Sequence, residues 1–215
     1  MKRIITLLLT VAMCIALCAC GGNGGMSKEK MLEIAQELDI ADISTTFSQN
    51  EARAKETYVG NTYTVSGYIE NITSDYCVIE KKGPSTTNYE LRVYLSKDDL
   101  VKVNTGEKIL VVGEITALES IIEYPIAEQF AEMKNAYLID NNFEITGVIT
   151  QFDSYGGSRY CVIRTDDYDS PIGVFLDENT LNGLSIGNTI TVAGIITYDG
   201  FSSPYYRMKD VELIN

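Results

Sequence analysis

The chain contains no histidine and no tryptophan among its 215 residues, and only four prolines. Without histidine, neither a Ser-His-Asp triad nor a Cys-His pair can be built, because both use an imidazole as general base. No glycine-rich phosphate loop is present, since Gly156-Gly157 has the composition of a hairpin turn. These absences predict a protein that is not an enzyme and uses no cofactor. A hydrolase with two facing carboxylates stays open as an alternative, because Asp and Glu are numerous.

Cysteine is also scarce in the part of the chain where an exported domain would form disulfides. Three of the five cysteines lie within the first 20 residues, which leaves Cys77 and Cys161 in the body of the chain. Two cysteines cannot form a disulfide framework. Each follows a tyrosine in an apolar run, so we expect two small buried hydrophobic residues. They also occupy equivalent positions of two repeats, and the sequence therefore predicts no metal site.

The N-terminus has the pattern of a signal peptide. Lys2 and Arg3 precede an apolar run over residues 4–17, which is shorter than the ~20 residues that span a bilayer. A run of four glycines and one asparagine follows at residues 21–25 and has the composition of a flexible tether. Residues 1–19 are thus expected to be a signal peptide, and residues 20–26 a tether.

The residues before that tether resemble the lipobox of bacterial lipoproteins. The matching segment is Leu17-Cys18-Ala19-Cys20, and Cys20 is the only early cysteine with a small residue before it. By this resemblance Cys20 becomes the first residue and carries the lipid, including palmitate. The resemblance implies a lipid-anchored protein on the extracytoplasmic face of the cell membrane. An ordinary secretion signal and a membrane stub stay open as alternatives.

Positive charge is in deficit along the whole chain, whose formal net charge is −13. Residues 26–140 hold 20 acidic and 11 basic side chains, and residues 141–215 hold 10 and 4. Binding of a polyanion depends on Lys and Arg that release counterions. The charge therefore disfavours nucleic acid as the ligand, although a local basic groove would keep a nucleic-acid-binding protein open as an alternative.

Two segments of about eighty residues repeat each other. Residues 61–140 and 141–215 align almost end to end, and both contain Tyr-Cys-Val-Ile, at 76–79 and 160–163. A period near eighty is too long for a solenoid repeat of roughly 20–50 residues. The sequence therefore predicts two copies of one domain, preceded by a helical segment over residues 27–60.

Each copy has five runs of strand-like alternation, rich in β-branched and aromatic residues. We predict strands near 62–72, 75–82, 89–96, 108–118 and 135–140, and near 142–152, 158–165, 171–177, 188–198 and 205–213. Glycines fall inside the first and fourth runs, as bends at a barrel corner require: Gly67, Gly113, Gly147 and Gly194. The predicted fold is mainly β, with two tandem five-stranded OB-fold barrels after a short helical segment.

Three stretches have helical spacing. Ser27 is placed to cap a first helix, and a second is predicted from about Ser44 to Gly60. The second helix is expected to close one end of the first barrel. Between the fourth and fifth strands of unit one, Ile126, Phe130 and Met133 follow Pro125 at helical spacing and predict a third helix.

The start of the first unit resembles a tRNA anticodon-binding-like OB domain, a type found in many bacterial lipoproteins. The resemblance covers about residues 42–140 and is carried by Asn50, Ala54, Tyr58, Gly60, Tyr63, Val65 and Gly67. It implies the OB-fold, and its name implies nucleic acid. The second unit lacks the leading helix and matches less well.

Aromatic residues mark a candidate binding site in the second unit. OB-folds bind ligands on the face of strands two and three and with the loops after strands one and four. Those loops of unit two contain Tyr155, Tyr198, Phe201, Tyr205 and Tyr206. Such rings suit a sugar, a base or a peptide side chain, although they could also cover the barrel end. We predict a non-catalytic binding module of the cell envelope for a protein or glycan ligand.

Overall fold

The computed structural model of the protein describes residues 26–80, 89–123, 126–166, 168, 170–198 and 206–214. The predicted signal peptide, the lipidation candidate Cys20 and two predicted site residues, Phe201 and Tyr205, lie outside the described residues.

The chain forms a helical segment followed by two sets of five strands. The helical segment contains α1 (Lys28–Ile34), β1 (Gln36–Glu37), α2 (Ile40–Gln49) and α3 (Glu51–Tyr58). The first set contains β2 (Thr62–Ile72), β3 (Cys77–Glu80), β4 (Tyr89–Val93), α4 (Lys97–Leu100), β5 (Lys108–Glu123) and β6 (Ile126–Asp140). The second contains β7 (Phe143–Tyr155), β8 (Ser158–Arg164), β9 (Ile172–Val174), α5 (Glu178–Asn182), β10 (Thr189–Tyr198) and β11 (Tyr206–Leu213).

Each set of five strands closes into a barrel, because its long first strand pairs with both the second and the fourth strand. In barrel 1, β2 pairs with β3 and β5, and β4 pairs in parallel with β6. In barrel 2, β7 pairs with β8 and β10, and β9 pairs in parallel with β11. The predicted fold, mainly β with two tandem OB-fold barrels, is confirmed.

Alternate side chains of the strands point inward and form one core per barrel. Cys77 and Cys161 are buried in these two cores, and both are free thiols. Burial disfavours the thiolate and raises the pKa of Cys77 to about 12 and that of Cys161 to about 11. Both cysteines are therefore unreactive core residues, as predicted.

The helical segment covers barrel 1, but its second predicted helix is two helices. The N–H of Asn50 donates to the Thr46 carbonyl and ends α2, while the Asn50 side chain accepts from the Arg53 N–H, 3.0 Å away, and caps α3. Asp39 starts α2 before the predicted Ser44 by accepting from the Ala41 N–H. Side chains of both helices join the core of barrel 1: Ile40, Ile43, Phe47, Ala54 and Tyr58.

The prediction of a helix after Pro125 is wrong. Residues 126–140 are strand β6, which pairs with β5 as far as Glu123 and Ile126. Phe130 and Met133 lie three residues apart and are both buried, which imitates helical spacing. In a strand, positions three apart face opposite sides, and here both sides are covered. Met133 lies in the barrel core, and Phe130 lies under the guanidinium of Arg92.

Glycine lets the first strand of each barrel bend across the second. A β-carbon added at Gly147 would lie 2.8 Å from the carbonyl oxygen of Arg164, and one at Gly67 would lie 3.1 Å from that of Glu80. A register shift follows two residues later in both strands, at Ile149 and at Ile69. The close approach leaves no room for a β-carbon at Gly147 and little room for one at Gly67.

Replacing Gly147 by alanine should destabilise barrel 2 by about 1–3 kcal/mol, because the strand must move away from the Arg164 carbonyl. Gly183→Ala is the matched control, since its added β-carbon would meet nothing closer than 3.5 Å. Urea denaturation of both variants measures the difference. Equal stabilities would show that the strand crossing tolerates a side chain.

The two barrels meet at a junction centred on a buried carboxylate. Glu107, immediately before β5, is 1% exposed. Its Oε1 accepts from Lys209 Nζ of barrel 2, 2.7 Å away, and its Oε2 accepts from the Asn104 N–H at 2.9 Å. Beside it, the Tyr198 N–H donates to the Gly106 carbonyl at 2.9 Å. An ion pair and a main-chain hydrogen bond thus join the barrels.

The junction should weaken in acid. Burial alone would raise the pKa of Glu107, but hydrogen bonds from Lys209 and Asn104 outweigh it and hold the pKa below its usual value. A depressed carboxyl pKa contributes stability above the unfolded value, about 4.3, that is lost as the pH falls through the folded value. Glu107→Gln should therefore lower stability at pH 7 and reduce its decline in acid, measured by thermal unfolding across pH.

Lys209→Met tests the other half of the ion pair. It should lower the free energy of unfolding by about 1–3 kcal/mol at neutral pH, because the buried carboxylate loses its cation. Lys134 is the equivalent residue of barrel 1 and pairs on the surface with Glu132 at 2.8 Å. Lys134→Met should lower the free energy of unfolding by only roughly 0.2–1 kcal/mol. A smaller effect at Lys209 than at Lys134 would contradict the central role of Glu107.

Candidate ligand-binding surfaces

Tyr155 stands at the tip of the β7–β8 hairpin. Gly156 and Gly157 make the turn with φ of +59° and +86°, which is the two-residue hairpin geometry that glycine favours. The Tyr155 side chain is 53% exposed, and the Arg207 guanidinium carbon lies 4.0 Å from the centre of its ring. The stacked arginine holds a solvent-facing aromatic ring in place.

A second pair of rings lies on the outer face of strands two and three of barrel 2. Cys161 points into the core, so its neighbour Tyr160 points outward. The Tyr160 ring stacks on Phe175, with centroids 4.8 Å apart and planes 27° apart. Burial and the nearby charge of Asp153 raise the pKa of Tyr160. Tyr160 is only 3% exposed, so we call the accessible residues Tyr155, Phe175 and Arg207 the barrel 2 outer face.

Barrel 1 repeats this aromatic pair. The equivalent residues are Tyr76 and Tyr94, whose ring centroids are 5.2 Å apart. The Tyr94 hydroxyl donates to Glu132 at 3.0 Å, and Arg92 lies over the Phe130 ring at 3.7 Å. The sequence analysis missed the pair, although a signal was present. A tyrosine precedes Cys-Val-Ile in both copies, and an aromatic residue follows the last valine of strand three.

Two of the predicted site residues lie at the barrel junction instead. Tyr198 and Tyr206 pack on Tyr68 of barrel 1, with ring centroids 5.9 and 5.7 Å from it. Tyr206 is 9% exposed and faces the core side of β11, whereas its neighbour Arg207 faces Tyr155. The structure therefore brings Tyr198 and Tyr206 together and separates them from Tyr155.

A cleft of about 710 Å³ opens beside these tyrosines, between barrel 1, barrel 2 and the helical segment. Its wall from β2 and β5 includes Ser66, Tyr68 and Lys108, and Tyr168 of barrel 2 closes the far side. Lys108 Nζ donates to the Tyr168 hydroxyl at 2.7 Å. Burial, with Tyr168 and Tyr206 nearby, raises the pKa of Tyr68, which therefore stays a neutral phenol. The cleft is lined chiefly by barrel 1 and the helical segment, and barrel 2 contributes Tyr168 and Tyr206.

Within the described ranges, no three Cys, Asp or Glu side chains are grouped so that they could hold a metal ion. In that part of the chain, every helix is too short or too polar to cross a bilayer.

The chain matches one family model and nine chains of solved structures. The chain resembles a lipoprotein of Klebsiella pneumoniae subsp. pneumoniae MGH 78578 for which nucleic-acid binding is a suggested role. The two are 16% identical, with a TM-score of 0.39, over 54% of this chain and 100% of that one. No curated protein sequence matches the chain. The family model described as tRNA_anti-like matches residues 1–124, which is more than half of the chain, and the protein belongs to this tRNA_anti-like family.

Proposed function

We propose that the protein is a lipid-anchored, non-catalytic binding module of the cell envelope, whose barrel 2 outer face takes a glycan. Cys20 would carry the anchor, on the strength of the lipobox resemblance. The residues of the tether would hold the barrels close to the membrane surface.

One observation carries the binding proposal, namely the half-exposed Tyr155 ring that Arg207 holds from one side at 4.0 Å. This ring stands next to strands two and three, where OB-folds bind their ligands. Ordering an exposed side chain in advance lowers the entropic cost of binding. Tyr155 and Arg207 are therefore prepared for contact with a ligand.

The polar groups beside Tyr155 suit a sugar. Gln151 and Asp153 lie on the same hairpin, and the Gln151 amide donates to Asp153 at 3.1 Å. A sugar has an apolar ring face that packs on an aromatic side chain and hydroxyl groups that bond to amides, carboxylates and guanidinium groups. The hairpin offers the ring, the amide and the carboxylate within five residues, and Arg207 of β11 adds the guanidinium.

Nucleic acid is the second candidate, and a specific observation favours it. Three of the four cations of residues 141–214, Arg159, Arg164 and Arg207, lie on β8 and β11 and are not held by Glu107. An arginine beside an exposed ring also suits a stacked base. The acidic surroundings oppose a long polyanion, and for this reason the glycan is placed first.

Titration with soluble cell-wall glycan fragments, followed by calorimetry, tests the first candidate. Tyr155→Ala should weaken binding about tenfold or more, because the ring face is lost. Tyr155→Phe is the matched control, since it keeps the ring, and it should bind within about threefold of the original protein. Equal binding by the original protein and Tyr155→Ala would remove the hairpin from the site.

A parallel titration with oligodeoxythymidine separates the two candidates. Nucleic-acid binding should weaken steeply between about 50 and 200 mM salt, as counterion release requires. Salt-dependent binding of the oligonucleotide, without binding of glycan, would replace the first candidate by the second. If neither the glycan nor the oligonucleotide binds to the original protein or to its variants, both candidate functions are contradicted.

Fractionation of cells tests the anchor. Cys20→Ser should move the protein from the membrane fraction to the soluble exported fraction, because the lipid has no attachment site. Cys18→Ser, two residues away, is the matched control and should stay in the membrane fraction. Retention of Cys20→Ser in the membrane would contradict lipidation at this residue.

A further inference from the structure

Part of one edge of strand β5, beside α3, is unpaired among the described residues. The first half of β5 pairs with β2 only as far as Glu114, while β6 follows it to Glu123 on the other side. From Thr116 to Ser120, the edge that faces away from β6 has no strand partner among the described residues. Alternate amide and carbonyl groups of a strand point to such an edge, which makes it a template for a further strand.

A groove of about 540 Å³ runs between this edge and the helix. Its helical wall consists of Glu51, Lys55, Glu56 and Val59, and its floor is residues 116–120. Two hydrogen bonds close one end, from the Gly60 N–H to the Ile115 carbonyl at 2.8 Å and from the Ile115 N–H to the Asn61 carbonyl at 3.1 Å. We call it the α3–β5 groove.

The two walls have matching lengths. Glu51, Lys55 and Val59 are spaced four apart and form one stripe, which spans about 12 Å at ~1.5 Å per residue. The edge from Thr116 to Ser120 spans about 13 Å at ~3.3 Å per residue. A groove of this length holds about four residues of extended chain.

The charge of the groove selects the occupant. Three carboxylates line it, those of Glu51, Glu56 and Glu119, against the single ammonium of Lys55. Lys55 already forms an ion pair with Glu51 at 2.7 Å. The excess of carboxylates attracts a cationic partner and repels an anionic one, so that it excludes nucleic acid from this site.

We propose that the α3–β5 groove binds an extended, lysine- or arginine-bearing peptide segment of a protein partner, by strand addition to the edge of β5. Main-chain hydrogen bonds to the edge provide affinity, and the carboxylates of the groove select the basic side chains. This site lies on barrel 1 and is independent of the glycan site proposed on barrel 2.

The test measures binding of a short fluorescent peptide of alternating lysine and valine by anisotropy. Two further peptides carry N-methyl groups on their odd-numbered or their even-numbered amides. Because successive amides of a strand point to opposite sides, one methylated peptide should lose binding about tenfold or more and the other should retain it. Equal binding of both would overturn strand addition.

Protein variants locate the site. The double variant Glu56→Lys/Glu119→Lys should weaken binding about tenfold or more, since it reverses the charge of the groove. Glu144→Lys/Glu212→Lys makes the same change in net charge on barrel 2 and should alter binding by less than about twofold. Equal losses in the two variants would assign the binding to net charge and overturn the proposal. Glycan binding should be unchanged in both, which keeps the two sites distinguishable.

Discussion

The buried carboxylate of Glu107 is the central contact between the two barrels. A carboxylate that is almost wholly removed from water must receive hydrogen bonds, and here they come from its own turn and from Lys209 of the other barrel. The turn of barrel 1 and its attachment to barrel 2 are thereby one structure. The packing of Tyr68 against Tyr198 and Tyr206 follows from that attachment.

The duplication shows which part of this arrangement belongs to the barrel and which to the junction. Asn188 stands where barrel 1 has Glu107, and its side chain likewise accepts from a main-chain N–H three residues earlier, that of Ser185, at 2.8 Å. Ile69 and Ile149 also donate to the carbonyls of Glu107 and Asn188 at the same distance, 2.9 Å. The turn therefore needs only a side-chain acceptor. The negative charge of Glu107 serves the contact between barrels.

The sequence predicted the strands well. It predicted less well those features that depend on contacts between residues distant in sequence. Alternation and mid-strand glycines such as Gly147 placed nine of the ten barrel strands, because both signals arise within a few residues, and they placed only residues 135–140 of β6. The prediction failed at Phe130 and Met133. They are buried on opposite faces of a strand, but their spacing of three residues is also that of one face of a helix. The prediction also treated Tyr206 as a loop residue, since nothing local reveals that Tyr68 covers it. Asn50 divides two helices by capping both, which a single apolar stripe does not show.

The contact between the barrels is head-to-tail, because two copies of one domain meet through different surfaces. Interfaces of this kind can repeat without limit and build filaments, unless the next surface is changed. Barrel 2 is changed at each corresponding position: Val148, Asn188 and Thr189 replace Tyr68, Glu107 and Lys108. The second copy therefore offers no aromatic ring, anion or cation at the positions by which barrel 1 holds barrel 2.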